Sequence, residues 1–387
     1  MSEKYDDAIV GAGIMGLAHA YALARRGRRV IVFERHGQAM GASVRNFGML
    51  WPIGQPAGIP RQVAMESRAI WINVLSQSTL WHRSTGSLHL AYHEDEEAVL
   101  AEYLELDPLR GAGVDGECSW LSPFEVTARS PYTNSRRLRG GLWSPTEICI
   151  DPREVTSKLP QWLHDNYGVR FEFRTVVTGY DHPVLKAGAR SWHADRLFVC
   201  SGEDFQTLYP EAYAASGLYR VKLQMMRTQR YGDETQIGPM LAGGLTLCHY
   251  RNFQDCPSLP QLRERYAREL PEHVRYGIHV MASQHAGGEV TIGDSHEYDD
   301  AISPFDKEEI NQLILEYLAT FLTLPDMQIV ERWNGIYAAH PAELCWTGQP
   351  DNHVLLIGSP SGRGMTMSFG IAERLVRETL GENEGAI

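Results

Sequence analysis

The sequence has no apolar run approaching the ~20 residues that a membrane-spanning helix needs. Cysteine is sparse. The six residues Cys118, Cys149, Cys200, Cys248, Cys256 and Cys345 form no CxxC pair and no metal-ligand spacing, so neither a disulfide framework nor a structural zinc site is indicated. Positive charge is in deficit, with 36 Lys and Arg against 48 Asp and Glu and a net charge of −12. That balance argues against nucleic acid or an anionic membrane as a bulk partner. The N-terminus carries Glu3, Asp6 and Asp7 instead of an apolar leader, so the expectation is no signal peptide and a cytoplasmic location. Internal repeats and low-complexity tracts are missing too. What is left is an ordinary globular composition, long enough for two or three domains.

One short segment stands out. Gly11-Ala12-Gly13-Ile14-Met15-Gly16 follows the apolar run Ala8-Ile9-Val10 and opens an alanine-rich helical stretch through Arg25. In such a strand–turn–helix, the first glycine permits the turn and the second lets backbone approach a pyrophosphate. The third lets helix and strand pack closely, and the helix N-terminus offers N–H groups and partial positive charge to phosphate. A second strand, Arg29 to Phe33, ends in Glu34, about 20 residues on, where a carboxylate can accept from ribose hydroxyls. The chain is expected to bind a dinucleotide. Gly111-Ala112-Gly113-Val114-Asp115-Gly116 matches the same pattern but follows a charged segment and starts no helix, so it is expected to be a surface loop.

The loop from Arg35 to Pro60 carries Phe47, Met49, Leu50, Trp51 and Ile53 among its glycines, which suits buried backbone lying along a flat ligand. Helices are expected over 61–79, 94–106 and from Asp151, as N-cap before Pro152, to about Tyr167. Strands are expected at 86–92, where the pattern alternates, at 169–173 and at 192–199. From Tyr219 to about Trp333 the pattern is β-rich with one helix, Pro304 to Phe321. A late strand, Val354 to Ile357, leads through Gly358 and Ser361-Gly362-Arg363-Gly364-Met365-Thr366 into a closing helix to Leu380.

Taken in order, these segments resemble the D-amino acid oxidase/glycine oxidase/sarcosine oxidase superfamily of FAD enzymes. The likeness rests on the glycine fingerprint with Glu34, Gly41-Ala42-Ser43, Gly86-Ser87-Leu88 and Trp120-Leu121-Ser122-Pro123. It continues through Gly141-Leu142-Trp143-Ser144-Pro145, Asp151-Pro152, Val177, Ala194 to Gly202, and Gly358 to Thr366. It implies an α/β fold: a Rossmann-like FAD-binding domain of the glutathione reductase type (1–85, 145–215 and 335–387). Interleaved with it would be an α+β substrate domain on a mixed or antiparallel sheet (86–144 and 216–334). FAD would be held by Gly11 to Gly16, Glu34, Arg35, the run Ala42-Ser43-Val44-Arg45-Asn46, Gly48-Met49-Leu50, Val177, Ser201, Gly202 and Ser361 to Thr366. The reaction implied is hydride transfer from the C–H beside an amine nitrogen to flavin N5, then imine hydrolysis, with O2 or another acceptor taking the electrons. No protein base is assigned. The sarcosine oxidase subgroup attaches FAD through a late cysteine; Cys345 lies too close to the final strand to match, so FAD is expected to be noncovalent.

Amino-acid-oxidising members carry Trp-x-Gly-x-Arg-Pro before the last strand, with the arginine on the substrate carboxylate. Here the stretch is Trp333-Asn334-Gly335-Ile336-Tyr337-Ala338, and a phenol cannot replace a fork of charged donors. The loop 42–55 and Gly293-Asp294-Ser295-His296-Glu297 look like a branch associated with phosphonate breakdown, whose substrates are hydroxylated or N-methylated 2-aminoethylphosphonate. Arg45, Tyr250, His296, Tyr337 and His340 are the candidates to line the substrate pocket, and His249 is expected to be structural. Two alternatives stay open: an oxidase of ordinary amino or N-methyl amino acids, and a flavoprotein electron-transfer subunit.

Overall fold

The computed structural model describes residues 4–107, 117–298 and 302–382. The second glycine pattern, Gly111 to Gly116, lies outside the described residues.

Five strands form the parallel heart of the first sheet: Arg170–Phe173, Val30–Glu34, Lys4–Val10, Arg190–Val199 and Val354–Ile357. Ile9 stands between Val32 and Phe198 in register. Ala8, Ile9 and Val30 to Phe33 are at most 1% exposed, as strands covered on both faces require. The helix Ile14–Ala24 returns over this sheet and packs on the closing helix Gly364–Leu380, which also packs on Ile59–Gln77. An antiparallel hairpin, Gly179–Asp181 and Val184–Ala187, extends the sheet at one side. The Asp151 side chain caps Pro152–Tyr167 by accepting from the N–H groups of Arg153 and Glu154, and Gly168 ends that helix in the left-handed conformation.

The second sheet has nine strands and is antiparallel except where Met240–Ala242 runs beside Ser87–Ala91. Its longest pairing joins Tyr219–Thr228 to Ile329–Ala339, with Val221 opposite Tyr337. Ser87–Ala91 was expected to alternate, yet all five residues are buried. The helix Glu94–Leu106 packs on this strand, while Trp51 and Phe253 pack around His89. The expectation of one helix between 219 and 333 is corrected. Besides Glu308–Phe321 there are Leu245–His249, Leu259–Glu269 and Pro271–Arg275. In Leu259–Glu269 only Leu259, Leu262 and Tyr266 are buried, a stripe too thin to register among so many charges, and a proline near each start pre-sets the first turn.

A third, three-stranded sheet ties Met49–Leu50 and His82–Arg83 to Ile148–Ile150, fixing the loop 35–60 against the rest of the chain. No helix among the described residues is long and apolar enough to cross a membrane.

Candidate active site

A cavity of about 420 Å³ is lined by residues of both large sheets, of the loop 39–55 and of the start of the closing helix. At one end lies the glycine turn. A β-carbon on Gly11 would sit 2.3 Å from the Cys200 carbonyl oxygen, and one on Gly16 would sit 1.9 Å from the Gly11 oxygen. Strand and helix therefore touch through bare backbone. Gly13 brings no capping side chain to Ile14–Ala24; Ser43 Oγ accepts from Ile14 N at 2.9 Å, and Gly13, Ile14 and Met15 lie on the cavity wall. Glu34 is buried, and its carboxylate accepts from Ala12 N (3.1 Å) and His36 N (2.9 Å), which holds it at the end of its strand. Arg35 pairs with Asp204 across the opening.

The loop is fastened by contacts with distant elements. Asn46 Nδ2 donates to the carbonyls of Ala42 and Ser43, Trp51 N donates to Thr366 Oγ1 at 2.8 Å, and Ile53 N donates to Glu147 Oε1 at 3.0 Å. The closing helix begins at Gly364 without a side-chain cap, after Ser361 and Gly362 turn through positive φ, and so aims its first N–H groups at the cavity. This set suits FAD. A bare-backbone cradle and two uncapped helix starts offer N–H donors to phosphate and to an electron-rich ring edge, and a carboxylate stands where a ribose would lie.

The other end is walled by the second sheet. Tyr337 projects from Ile329–Ala339 toward Gly362, where a β-carbon would meet its ring at 3.0 Å. Tyr250 Oη approaches Met281 Sδ at 3.4 Å. Burial pushes both phenols up, so both stay protonated donors. Arg363 is tied down by Nε to Pro360 O (2.9 Å) and by Nη1 to Gln55 Oε1 (3.3 Å). It has no carboxylate partner among the described residues, and burial lowers its pKa. The Arg45 guanidinium donates through Nη1 to the Asn334 carbonyl at 3.1 Å.

Of the residues selected from sequence, all but six line this cavity. Ala12, Gly16, Val44, Gly48 and Leu50 lie behind its wall and shape the backbone. His340 is also off the wall, because its Nδ1 accepts from Ala342 N and Glu343 N and closes a turn. The structural expectation for His249 is corrected: its exposed surface looks into the cavity, and it has no hydrogen-bond partner among the described residues. Sequence reasoning missed Trp51, Gln55, Met225, Met281 and His279 on the wall. Gln55 and Trp51 sit in a loop already suspected, whereas His279 has no local signal at all.

The chain matches the family described as "DAO: FAD dependent oxidoreductase" over residues 6–378, and it belongs to that family. It is therefore an FAD-dependent oxidoreductase of that fold. It is 23% identical over 236 residues to glycine oxidase of Geobacillus kaustophilus strain HTA426, covering 57% of this chain and 61% of that protein. That match spans less than two thirds of the relative's length. Among solved structures it is similar to L-proline dehydrogenase from P. horikoshii (TM-score 0.79, 20% identity, 99% and 96% of the two chains). It is also similar to the glycine oxidase structure from Geobacillus kaustophilus (TM-score 0.77, 19% identity, 100% and 97%).

Proposed function

We propose that the protein oxidises a small amine bearing an anionic head, and that the head is a phosphonate, as in hydroxylated or N-methylated 2-aminoethylphosphonate. The observation that carries this is the exchange at residue 337: a tyrosine occupies the position expected for a carboxylate-gripping arginine, while the half-buried Arg363 beside it has no acidic partner among the described residues. One guanidinium flanked by the hydroxyls of Tyr337 and Tyr250 supplies donors from several directions, which matches three tetrahedral oxygens better than two coplanar ones. FAD, when bound, supplies the two-electron acceptor for the hydrogen on the carbon next to nitrogen. The residues named here hold and orient the substrate, and the apolar side chains of Met225, Met281 and Trp51 exclude water from it. Glu34 and the two helix starts are assigned to the cofactor. We also assign FAD as noncovalent, since Cys345 Sγ donates to Gly358 O at 3.1 Å and is not on the cavity wall.

Arg363 favours a second reading as well, because a lone guanidinium can bind the carboxylate of an ordinary amino acid. Anaerobic mixing of the yellow protein with a panel of aminophosphonates and amino acids separates the two. Bleaching of the flavin band by the N-methylated or hydroxylated aminophosphonate, with little by glycine, sarcosine or D-alanine, is the expected result. The reverse order of reactivity replaces the phosphonate reading with the second one. Arg363→Met is expected to raise KM for the preferred substrate roughly 30–100-fold, the loss of a charge-assisted hydrogen bond.

A further inference from the structure

His249, His279 and His296 come from three separate segments and meet on the cavity wall. Each offers a ring nitrogen within 4.8 Å of the other two, and their ring centroids are 3.9, 4.5 and 5.2 Å apart. His296 Nδ1 lies 3.1 Å from the Gly277 carbonyl, which fixes that nitrogen as the donor and leaves Nε2 with a free lone pair. Asp294 Oδ1 stands 3.1 Å from His279 Nε2, yet the pair is not aligned as a hydrogen bond, and Oδ1 is buried without a partner. His279 Nδ1 is likewise buried without a partner, so two polar atoms at one spot go unsatisfied, and the exposed His249 ring beside them has no side-chain hydrogen bond among the described residues.

Leaving such groups unsatisfied is costly, and native interiors rarely do so. We propose that His249, His279 and His296 bind a divalent transition metal of the zinc class, with Asp294 as the adjoining carboxylate that offsets its charge. Imidazole donors suit zinc, nickel, copper or iron rather than magnesium or calcium. Because His249 presents its ring to the cavity, the ion would have a position open to an oxygen of water or of a bound anion. The site stands apart from the phosphonate assignment, since it is defined by the protein's own donors.

Isothermal titration of EDTA-treated, FAD-loaded protein with zinc chloride tests this directly. One equivalent binding at or below about 1 μM is expected, as three-imidazole sites are tight. His249→Ala and His296→Ala should each weaken it at least 100-fold, and Asp294→Asn roughly 10–100-fold, as for an outer partner. His249 faces open space, so His249→Ala should keep the flavin spectrum and thermal transition of the parent. It serves as the decisive variant if a more buried one fails to fold. The surface pair His182 and His353, stacked at 3.6 Å, provides the control, and His353→Ala should leave zinc binding unchanged. Absence of binding, or binding that survives His249→Ala, overturns the proposal.

Discussion

Gly16 has no room for a side chain, because the Gly11 carbonyl oxygen occupies the place a β-carbon would take. The obstacle is backbone, which cannot rotate away. Gly16→Ala is therefore expected to cost about 2–3 kcal/mol and to lower the ratio of flavin to protein absorbance in the purified enzyme; an unchanged ratio and melting temperature would refute the close-packed turn. At the opposite end, Tyr337→Arg would restore a planar fork and should raise turnover of sarcosine or glycine relative to aminophosphonate. Residues such as these were legible because the constraint is local: a turn, a helix start and a carboxylate follow one another within a short stretch. Position 337 was legible for a different reason, as a departure from an expected pattern. His279 was not, since its neighbours His249 and His296 are brought to it only by sheet pairing and a short helix, and no spacing in the sequence records that meeting.

Helix Glu94–Leu106 shows how an element can be anchored by one charged residue. Glu96 accepts from Tyr92 N and His93 N at the helix start, and from Arg265 Nη2 (2.9 Å) and Tyr266 Oη (2.6 Å) on Leu259–Glu269. It is 3% exposed, so removing it takes an acceptor from the buried Tyr266 phenol, while Arg265 keeps its pair with Asp95. Glu96→Ala is expected to destabilise the protein by about 1–3 kcal/mol, with Glu96→Gln recovering part of that loss in denaturant titrations. The limits of this helix were read to the residue from its helical pattern. Its partner Leu259–Glu269 was overlooked because its buried stripe amounts to three side chains. What makes that helix stable is the contact with Glu96, a tertiary fact that periodicity cannot carry.

Across the molecule, acid sensitivity is written into two buried imidazoles outside the metal-binding cluster. His19 and His89 are fully buried, and burial lowers them to about 4 and about 3. The unfolded chain takes up these protons near pH 6.5, whereas the native state resists. Their contribution is therefore intact above pH 6.5 and erodes as the pH falls toward 4 and 3. For His89, which has no hydrogen bond at either nitrogen, the loss between pH 7 and pH 5 is about 2 kcal/mol. His89→Leu should flatten the pH dependence of stability over that interval by a similar amount; a profile parallel to the parent would show that His89 does not govern it. The architecture of two large sheets was foreseeable from the order of strands and glycine turns. The crowding that silences these histidines was not, because it arises where Trp51 and Phe253 arrive from elsewhere.

The loop 35–60 has little regular structure of its own and borrows its shape from Ile14, Glu147, Ile150 and Thr366. A partition held in that fashion takes its conformation from its neighbours at separate points. Losing the cofactor would then mean more than vacating a slot, for it would take support from a stretch of chain that proteases can grip.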